Sequence, residues 1–162
     1  MTTLETIGQE ERDRLFHIDF CALFLGLIRR GDLIARFGIA QAAATRDLAL
    51  YRSLVPENLV FDGSEKLYRA SPAFSPLFPH EPERSLHALS EGIGDSAAAL
   101  PAGHLRVERP MRPTSPALGV IAAVSRAIAT RQSLRIGYVS LSSGATTRIV
   151  SPHALVDTGL RW

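Results

Sequence analysis

Side chains suited to nucleic-acid contact cluster in one stretch of the first half of the sequence. In the major groove of DNA, glutamine pairs with adenine, arginine pairs with guanine, and the threonine methyl group packs against thymine. Residues 39–52 are rich in helix-forming residues, so we expect a helix there. Its polar side is predicted to carry four contact residues, Gln41, Thr45, Arg46 and Arg52. Leu48 and either Leu50 or Tyr51 would face the core; the alternative is an ordinary solvated face in a helical bundle.

Two further basic residues lie in a predicted β-hairpin that follows this helix. Residues 59–61 and 66–68 flank a segment of turn chemistry, Asp-Gly-Ser-Glu. Lys66 and Arg69 are placed to contact phosphate, which adds salt-dependent affinity rather than specificity. The two acidic residues at the tip argue against deep insertion of this hairpin into a groove.

The last third of the sequence is its most basic part and holds a third group of candidate residues. Residues 101–162 contain eight arginines against two acidic residues, so an anionic ligand is expected there. Such side chains on adjacent strands can bind a phosphate-bearing or nucleic-acid fragment by charge-assisted hydrogen bonds and stacking. The members of this group are Tyr138, Ser140, Ser142, Arg148, His153, Arg161 and Trp162. His153, which follows a proline, could equally be a structural residue at the start of a strand.

The sequence shows no arrangement typical of catalysis or of a metal site. Serine, histidine and Asp157 occur together without the spacing of a nucleophile elbow, so we do not expect an enzyme. The remaining histidines lack ligand spacing and are assigned no role: His17, His80, His87 and His104. Lone Cys21 excludes an internal disulfide and a cysteine-based zinc cluster, and it is expected to be a small core residue. We therefore expect neither a metal nor a cofactor.

The composition indicates a packed protein of the cytoplasm. The chain has 162 residues, enough for one ordinary domain or two small ones, with 46% hydrophobic and 21% charged residues. No apolar run approaches the ~20 residues of a membrane span. The N-terminus lacks the basic start and apolar core of a signal peptide. We expect no membrane association and a cytoplasmic location.

The elements that would position the first two groups form a predicted winged helix-turn-helix. Apolar residues at three- and four-residue steps predict a helix over 11–30, which Gly31 ends. Asp32 is the expected N-cap of a short helix over 33–37. Gly38 supplies the positive φ of the tight turn before the third helix. Three helices followed by a hairpin are the order of a winged helix domain.

The rest of the chain is predicted to be a proline-rich connector followed by a helix and strands. Phe74, Leu77 and Phe78 belong to an extended segment that should pack against the winged domain. A short helix is predicted over 83–91 and a strand over 104–108. The later predicted elements are a helix over 117–130, strands over 134–141 and 146–150 with a turn at 142–144, and further strands from 152 to 162.

Two sets of motifs resemble known bacterial regulators. Residues 141–148 (LSSGATTR) and 151–162 (SPHALVDTGLRW) resemble the opening of a WYL domain, an Sm/SH3-like β-barrel that senses ligands. Residues 16–20 (FHIDF), 32–39 (DLIARFGI) and 56–59 (PENL) resemble the BrxR/CapW-like repressors that control phage-defence operons. The similarity covers most of the chain.

The resemblance implies an α+β protein with a winged helix-turn-helix at 8–71, a connector at 72–115, and a linker helix with a partial WYL domain at 116–162. It implies a sequence-specific repressor that binds an inverted-repeat operator in double-stranded DNA as a homodimer. A nucleotide or nucleic-acid fragment in the WYL pocket would release it. The pocket residues would be Tyr138, Ser140, Arg148, His153 and Trp162. Because the chain ends at Trp162, the barrel is expected to be incomplete, with strand edges exposed in about the last 30 residues.

An interpretation from another class is a protein-interaction module that uses the winged scaffold without binding DNA. Residues 10–70 carry nine basic and nine acidic side chains, and this near-neutral balance favours the alternative. The polar residues on one predicted helix favour DNA. A gel shift with the promoter DNA would separate the two.

Overall fold

The computed structural model describes residues 7–91, 107–108, 116–140 and 144–156. Helices and small sheets are both present, so the fold class is α+β, as predicted. The helices are α1 (Gln9–Leu25), α2 (Arg30–Phe37), α3 (Gln41–Leu54), α4 (Pro82–Glu91) and α5 (Leu118–Thr130). The strands are β1 (Leu27–Ile28), β2 (Leu59–Asp62), β3 (Leu67–Ala70), β4 (Val107–Glu108), β5 (Leu134–Ser140), β6 (Gly144–Val150) and β7 (Leu155–Val156).

Helix α1 is the centre of the fold because it is buried over most of its length. Every residue from His17 to Leu25 is buried, and α2, α3 and α5 pack around the helix. A helix that is buried on all sides belongs in the interior of a protein. Cys21 is a core residue here, as predicted, and its burial raises the pKa of the thiol, which therefore stays protonated.

The helix predicted over 11–30 was wrong at its end, because α1 stops at Leu25. Gly26 adopts φ 78°, in the left-handed region that favours glycine, and ends the helix. The next two residues form β1, which pairs antiparallel with β3. Their apolar spacing fits a helix, but pairing with a strand far along the chain gives them an extended conformation instead.

Helix α2 begins earlier than the sequence indicated. Asp32, expected as the N-cap, lies in the first turn, where its carboxylate accepts a hydrogen bond from the Arg29 backbone N–H at 2.7 Å. Arg29 is the N-cap, so Gly31, expected to end the preceding helix, lies within α2. The predicted tight turn after α2 is confirmed, because Gly38 has φ 63°.

The wing is the hairpin of β2 and β3, and it belongs to a three-stranded antiparallel sheet in the order β1-β3-β2. Leu59 pairs with Ala70 and Asp62 pairs with Leu67, so the predicted hairpin is confirmed. Strand β1 is an addition that the sequence did not predict. Helices α1, α2 and α3 with this sheet form the predicted winged helix-turn-helix.

The chain after the wing packs back onto the winged domain. Phe78 is buried in the core, and Phe74 and Leu77 are partly buried against it, as predicted. Helix α4 follows within one residue of the predicted start at Glu83. None of the helices in the described part of the chain is long and apolar enough to cross a membrane.

In the C-terminal half of the chain, α5 lies against α1 and closely matches the predicted helix over 117–130. Strands β5 and β6 form an antiparallel hairpin, and the predicted turn residues 142–143 lie outside the described residues. Strands β4 and β7 pair in parallel. Of the strand predicted over 104–108, residues 104–106 also lie outside the described part.

Candidate nucleic-acid interface

Helix α3 has a buried face and an exposed face. Ala44, Asp47, Leu48 and Tyr51 are buried, at the three- and four-residue steps that place side chains on one side of a helix. This side packs toward α1. Leu48 therefore anchors the helix inward, as predicted, and of the two alternatives Leu50 and Tyr51 it is Tyr51 that is buried.

The four contact residues predicted on α3 all lie on its exposed side: Gln41, Thr45, Arg46 and Arg52. The Thr45 hydroxyl donates a hydrogen bond to the Gln41 carbonyl oxygen at 2.9 Å, one helical turn earlier. This bond keeps the hydroxyl within its own helix. The methyl group is then the part of Thr45 that suits contact with a base.

Arg30, at the start of α2, adjoins the exposed face of α3. Its Nη1 lies 3.4 Å from the Thr45 hydroxyl, and the residue is exposed. Arg30 was not among the predicted contact residues, because the first helix was expected to end at this residue. The signal that could have found it is the Arg29-Arg30 pair directly before the helix-turn-helix.

A row of contacting side chains joins the last turns of α3 to the wing. The Arg52 guanidinium lies over the Tyr68 ring, 5.7 Å from its centroid, and the Tyr68 and Phe61 ring centroids are 5.0 Å apart. A guanidinium over an aromatic ring is attracted by the negative face of the ring. The Arg52 side chain thus extends from α3 onto the wing.

The two basic residues predicted in the wing are held differently. Arg69 pairs with Asp62 at 3.2 Å and with Glu65 at 3.0 Å, so its charge is offset within the hairpin. Hydrogen bonds, first from the Ser64 hydroxyl and then from Arg69 and the backbone, lower the pKa of Asp62 to about 2. Lys66 is exposed at the tip, and its backbone adopts φ 53°. The wing therefore offers Lys66 to a partner more readily than Arg69.

Two carboxylates hold α3 against α1, one from each helix. Asp47 of α3 accepts hydrogen bonds from Arg14 of α1, with Nε at 2.7 Å and Nη2 at 3.4 Å. These bonds raise the pKa of Arg14. Conversely, Asp19 of α1 accepts a hydrogen bond from the hydroxyl of Tyr51 on α3. The buried face of α3 is therefore fixed by directional bonds as well as by apolar packing.

Asp19 also binds the chain that follows the wing. It accepts hydrogen bonds from the backbone N–H groups of Leu77 at 3.0 Å and Phe78 at 3.2 Å, and from Nε2 of His80 at 2.8 Å. His80 was expected to have no role, but it binds the Asp19 carboxylate. Its partner lies 61 residues away in the sequence, so local spacing could not reveal the pair. Burial, with Asp19 nearby, raises the pKa of Tyr51, so its hydroxyl stays protonated and donates.

The candidate ligand residues lie on the hairpin of β5 and β6 and beyond it. The Arg148 guanidinium lies over the Tyr138 ring, 3.9 Å from its centroid. Ser140 is half-buried on β5, and His153 is exposed after β6. Three predicted members lie outside the described residues: Ser142, Arg161 and Trp162. The structure thus joins one cation to one aromatic ring, a pair that can stack on a base and bind a phosphate.

Comparison with known proteins decides the family. A profile of the BrxR transcriptional regulator winged helix-turn-helix domain matches residues 10–91, about half of the chain. The chain belongs to the BrxR family. A WYL domain profile matches residues 119–162 of this BrxR-family chain. The resemblance stated from the motifs is therefore confirmed for both parts.

Three relatives of this BrxR-family chain carry the name DNA-binding transcriptional repressor CapW. The one from Stenotrophomonas maltophilia is 32% identical over 163 residues, which cover 92% of this chain and 52% of the relative. The one from Escherichia coli strain KTE188 is 30% identical over 170 residues, covering 96% and 53%. The one from Pseudomonas aeruginosa is 32% identical over 163 residues, covering 96% and 53%. The chain spans about half the length of the curated relatives it matches.

Proposed function

We propose that the chain acts as a sequence-specific, DNA-binding transcriptional repressor. The observation that carries this proposal is α3, the second helix of a helix-turn-helix, with a polar exposed side and an inner side bonded to α1. A helix held in this way enters the major groove and presents its N-terminal residues to base edges. The name of the CapW relatives, DNA-binding transcriptional repressor, supports the proposal.

Three exposed residues of α3 have a proposed base contact. Gln41 pairs with adenine, Arg46 pairs with guanine, and the Thr45 methyl group packs against thymine. These three supply specificity, because they reach base edges. The remaining cations, which supply salt-dependent affinity through phosphates, are Arg30, Arg52, Lys66 and Arg69.

The proposed repressor is a cytoplasmic homodimer that binds an inverted-repeat operator. A two-fold dimer matches a palindromic site, and its half-sites then lie about 34 Å apart, one turn of the DNA helix. The resemblance of the sequence motifs to the BrxR/CapW-like repressors is the basis for proposing this arrangement and the control of a phage-defence operon. The proposal includes no catalytic step.

The proposed signal is a nucleotide or a nucleic-acid fragment that binds the C-terminal half. The stacked Tyr138 and Arg148 support this proposal, because a base stacks on an aromatic ring and a guanidinium binds phosphate. The match to a WYL domain supports it as well. Ser140, His153 and Trp162 are the other proposed members of the pocket.

The test compares Arg46→Ala with Arg84→Ala, a change of an exposed arginine on α4 that pairs with Glu81. Both variants lose one positive charge, so non-specific attraction to DNA falls in both. Arg46→Ala alone is expected to weaken binding to the DNA upstream of the gene, relative to random DNA, by about 1–3 kcal/mol. Fluorescence anisotropy with labelled duplexes at several salt concentrations measures this difference.

Two outcomes contradict the proposal: binding that does not weaken as salt rises, and equal affinity for promoter and random DNA. Either would favour the protein-interaction module. The wing supports that second candidate, because Val60 and Phe61 are 59% and 51% exposed and form an apolar surface.

A further inference from the structure

A buried network of hydrogen bonds surrounds Asp19 in the centre of α1. The carboxylate is fully buried and accepts from the Tyr51 hydroxyl on α3, from two backbone N–H groups at Leu77 and Phe78, and from His80 Nε2. A buried carboxylate is strongly destabilising unless donors replace its water shell. The four donors come from two segments of the chain, so Asp19 holds both segments against α1.

Asn58 completes this network on the other side of Tyr51. Its Nδ2 donates to the Tyr51 hydroxyl at 3.1 Å and to the Ser75 carbonyl oxygen at 2.7 Å. Its Oδ1 accepts from the Ser75 backbone N–H at 3.0 Å. The Tyr51 hydroxyl thus donates to Asp19 and accepts from Asn58, and its position is fixed from two directions.

These bonds constrain the rotation of α3 about its own axis. Asp47 is bonded to Arg14, and Tyr51, one turn later on the same face, is bonded to Asp19. Apolar burial is non-directional, so packing of Leu48 alone would tolerate small rotations and shifts of the helix. Hydrogen bonds weaken steeply when their angles change. A rotation that re-aimed the exposed residues of α3 would break both bonded contacts.

We propose that the Asp19 network positions α3 for DNA recognition, through the Tyr51 hydroxyl, and ties that position to the segment 75–80 that leads toward the C-terminal half. This inference rests on the proposed function and specifies what fixes the orientation of the helix that reads DNA. Asp19, Tyr51 and His80 are positioning residues, because they are buried and would act on DNA only through α3.

The first test compares Tyr51→Phe with a matched control, Ser71→Ala. Tyr51→Phe keeps the ring and removes the hydroxyl from the network. Ser71→Ala removes another hydroxyl of the same domain, one that donates to the Glu57 carbonyl oxygen and accepts from the Ala73 backbone N–H but bonds to neither Asp19 nor Tyr51. Both variants lower the melting temperature, but only Tyr51→Phe is expected to reduce the ratio of promoter to random DNA affinity, by about two- to thirtyfold.

A second measurement does not use DNA. Amide hydrogen exchange reports how firmly each segment is held. In Tyr51→Phe the amides of α3 and those of Leu77 and Phe78 are expected to exchange faster together, compared with Ser71→Ala. His80→Leu, which removes a donor at the other end of the network, is expected to move both readouts in the same direction.

The proposal is overturned if Tyr51→Phe and Ser71→Ala have the same affinity ratio, or if exchange in the two segments is no faster than in the control. A wild-type protein without preference for promoter DNA refutes the proposed function instead. In that case a joint rise in exchange still supports the hold of the network on α3, and its absence overturns it.

Discussion

Single residues of the candidate interface differ in how much of their bonding capacity the protein itself uses. The Arg69 charge is shared between Asp62 and Glu65, and the Thr45 hydroxyl bonds within its helix. Exposed pairs of this kind contribute little to stability. Their effect is to decide which groups face a partner, and on α3 these are the Arg46 guanidinium and the Gln41 amide, both on exposed residues.

The pKa of Asp62 tests the contacts within the wing. It lies at about 2, below the ordinary 3.8, because Ser64 and then Arg69 donate to the carboxylate. Because the pKa of Asp62 is lower in the folded protein, the unfolded chain binds a proton at this carboxylate more readily than the folded protein does. Its contribution to stability is therefore present above 3.8 and is lost as the pH falls through about 2. We expect a carboxyl NMR titration with that midpoint, and Ser64→Ala should move it toward the ordinary value.

The control is Ser53→Ala, which removes an exposed hydroxyl that donates to the Leu50 carbonyl oxygen on α3. It should leave the Asp62 midpoint unchanged. An ordinary Asp62 pKa in the wild-type protein would show that the turn of the wing is not closed by these bonds.

Among the elements, those defined by local chemistry were predictable from the sequence. Helix α3 lies between the positive-φ turn at Gly38 and Pro56, and the wing has turn residues at its tip. The exposed face of α3 followed from the spacing of Leu48 and Tyr51. Strand β1 was not predictable, because a short apolar run fits a helix or a strand until its partner is known.

The polar contacts that orient these elements were beyond the sequence for the same reason. Asp19 meets Tyr51 and His80 across 32 and 61 residues, and no local pattern marks either pair. Arg30 was missed because the end of α1 was misplaced. The sequence thus predicted which side chains of α3 are exposed better than it predicted what holds the helix in place.

The wing combines an unfavourable backbone conformation with a charge, which a substitution can separate. A non-glycine residue in the left-handed region, as at Lys66, is destabilising by ~1–2 kcal/mol, whereas glycine loses ~0.5–1 kcal/mol through its flexibility in the unfolded state. Lys66→Gly should therefore raise the free energy of unfolding by up to about 1 kcal/mol, measured by urea denaturation. It should also weaken DNA binding. The slope of the logarithm of the binding constant against the logarithm of the salt concentration should become about 1 less steep.

The matched variant Lys66→Gln removes the charge and keeps the side-chain Cβ. It should weaken DNA binding as much as Lys66→Gly while leaving stability unchanged. A Lys66→Gly protein that is less stable than wild type would contradict the backbone argument, and unequal DNA binding by the two variants would contradict the phosphate contact.

In the whole molecule, α1 is shared between the winged domain and the C-terminal half. Both α3 and α5 pack against α1. Arg126 of α5 donates from Nε at 3.2 Å and Nη2 at 3.0 Å to the Leu23 carbonyl oxygen, in the last turn of α1. A Cβ on Gly26 would lie 2.9 Å from Arg126 Cγ, so glycine is required there by space as well as by φ. Helix α5 is thereby packed onto α1, the helix that positions α3.

Arg126→Ala tests this junction. Burial lowers the pKa of Arg126, so its charge is partly desolvated, and the Leu23 carbonyl oxygen compensates for that. Removing the guanidinium leaves the carbonyl without these donors and should lower the free energy of unfolding by about 1.5–3 kcal/mol. Arg126→Lys should recover only part of the lost free energy of unfolding, because an ammonium group lacks the planar, forked set of donors of a guanidinium group. Arg135→Ala, at an exposed position on β5, is the control and should change stability by less than about 0.5 kcal/mol. If Arg126→Ala were as stable as this control, the hydrogen bonds of Arg126 would not contribute to fixing α5 on α1, and the apolar packing of buried α5 residues such as Ile121 and Ala122 against α1 would hold the two helices together by itself.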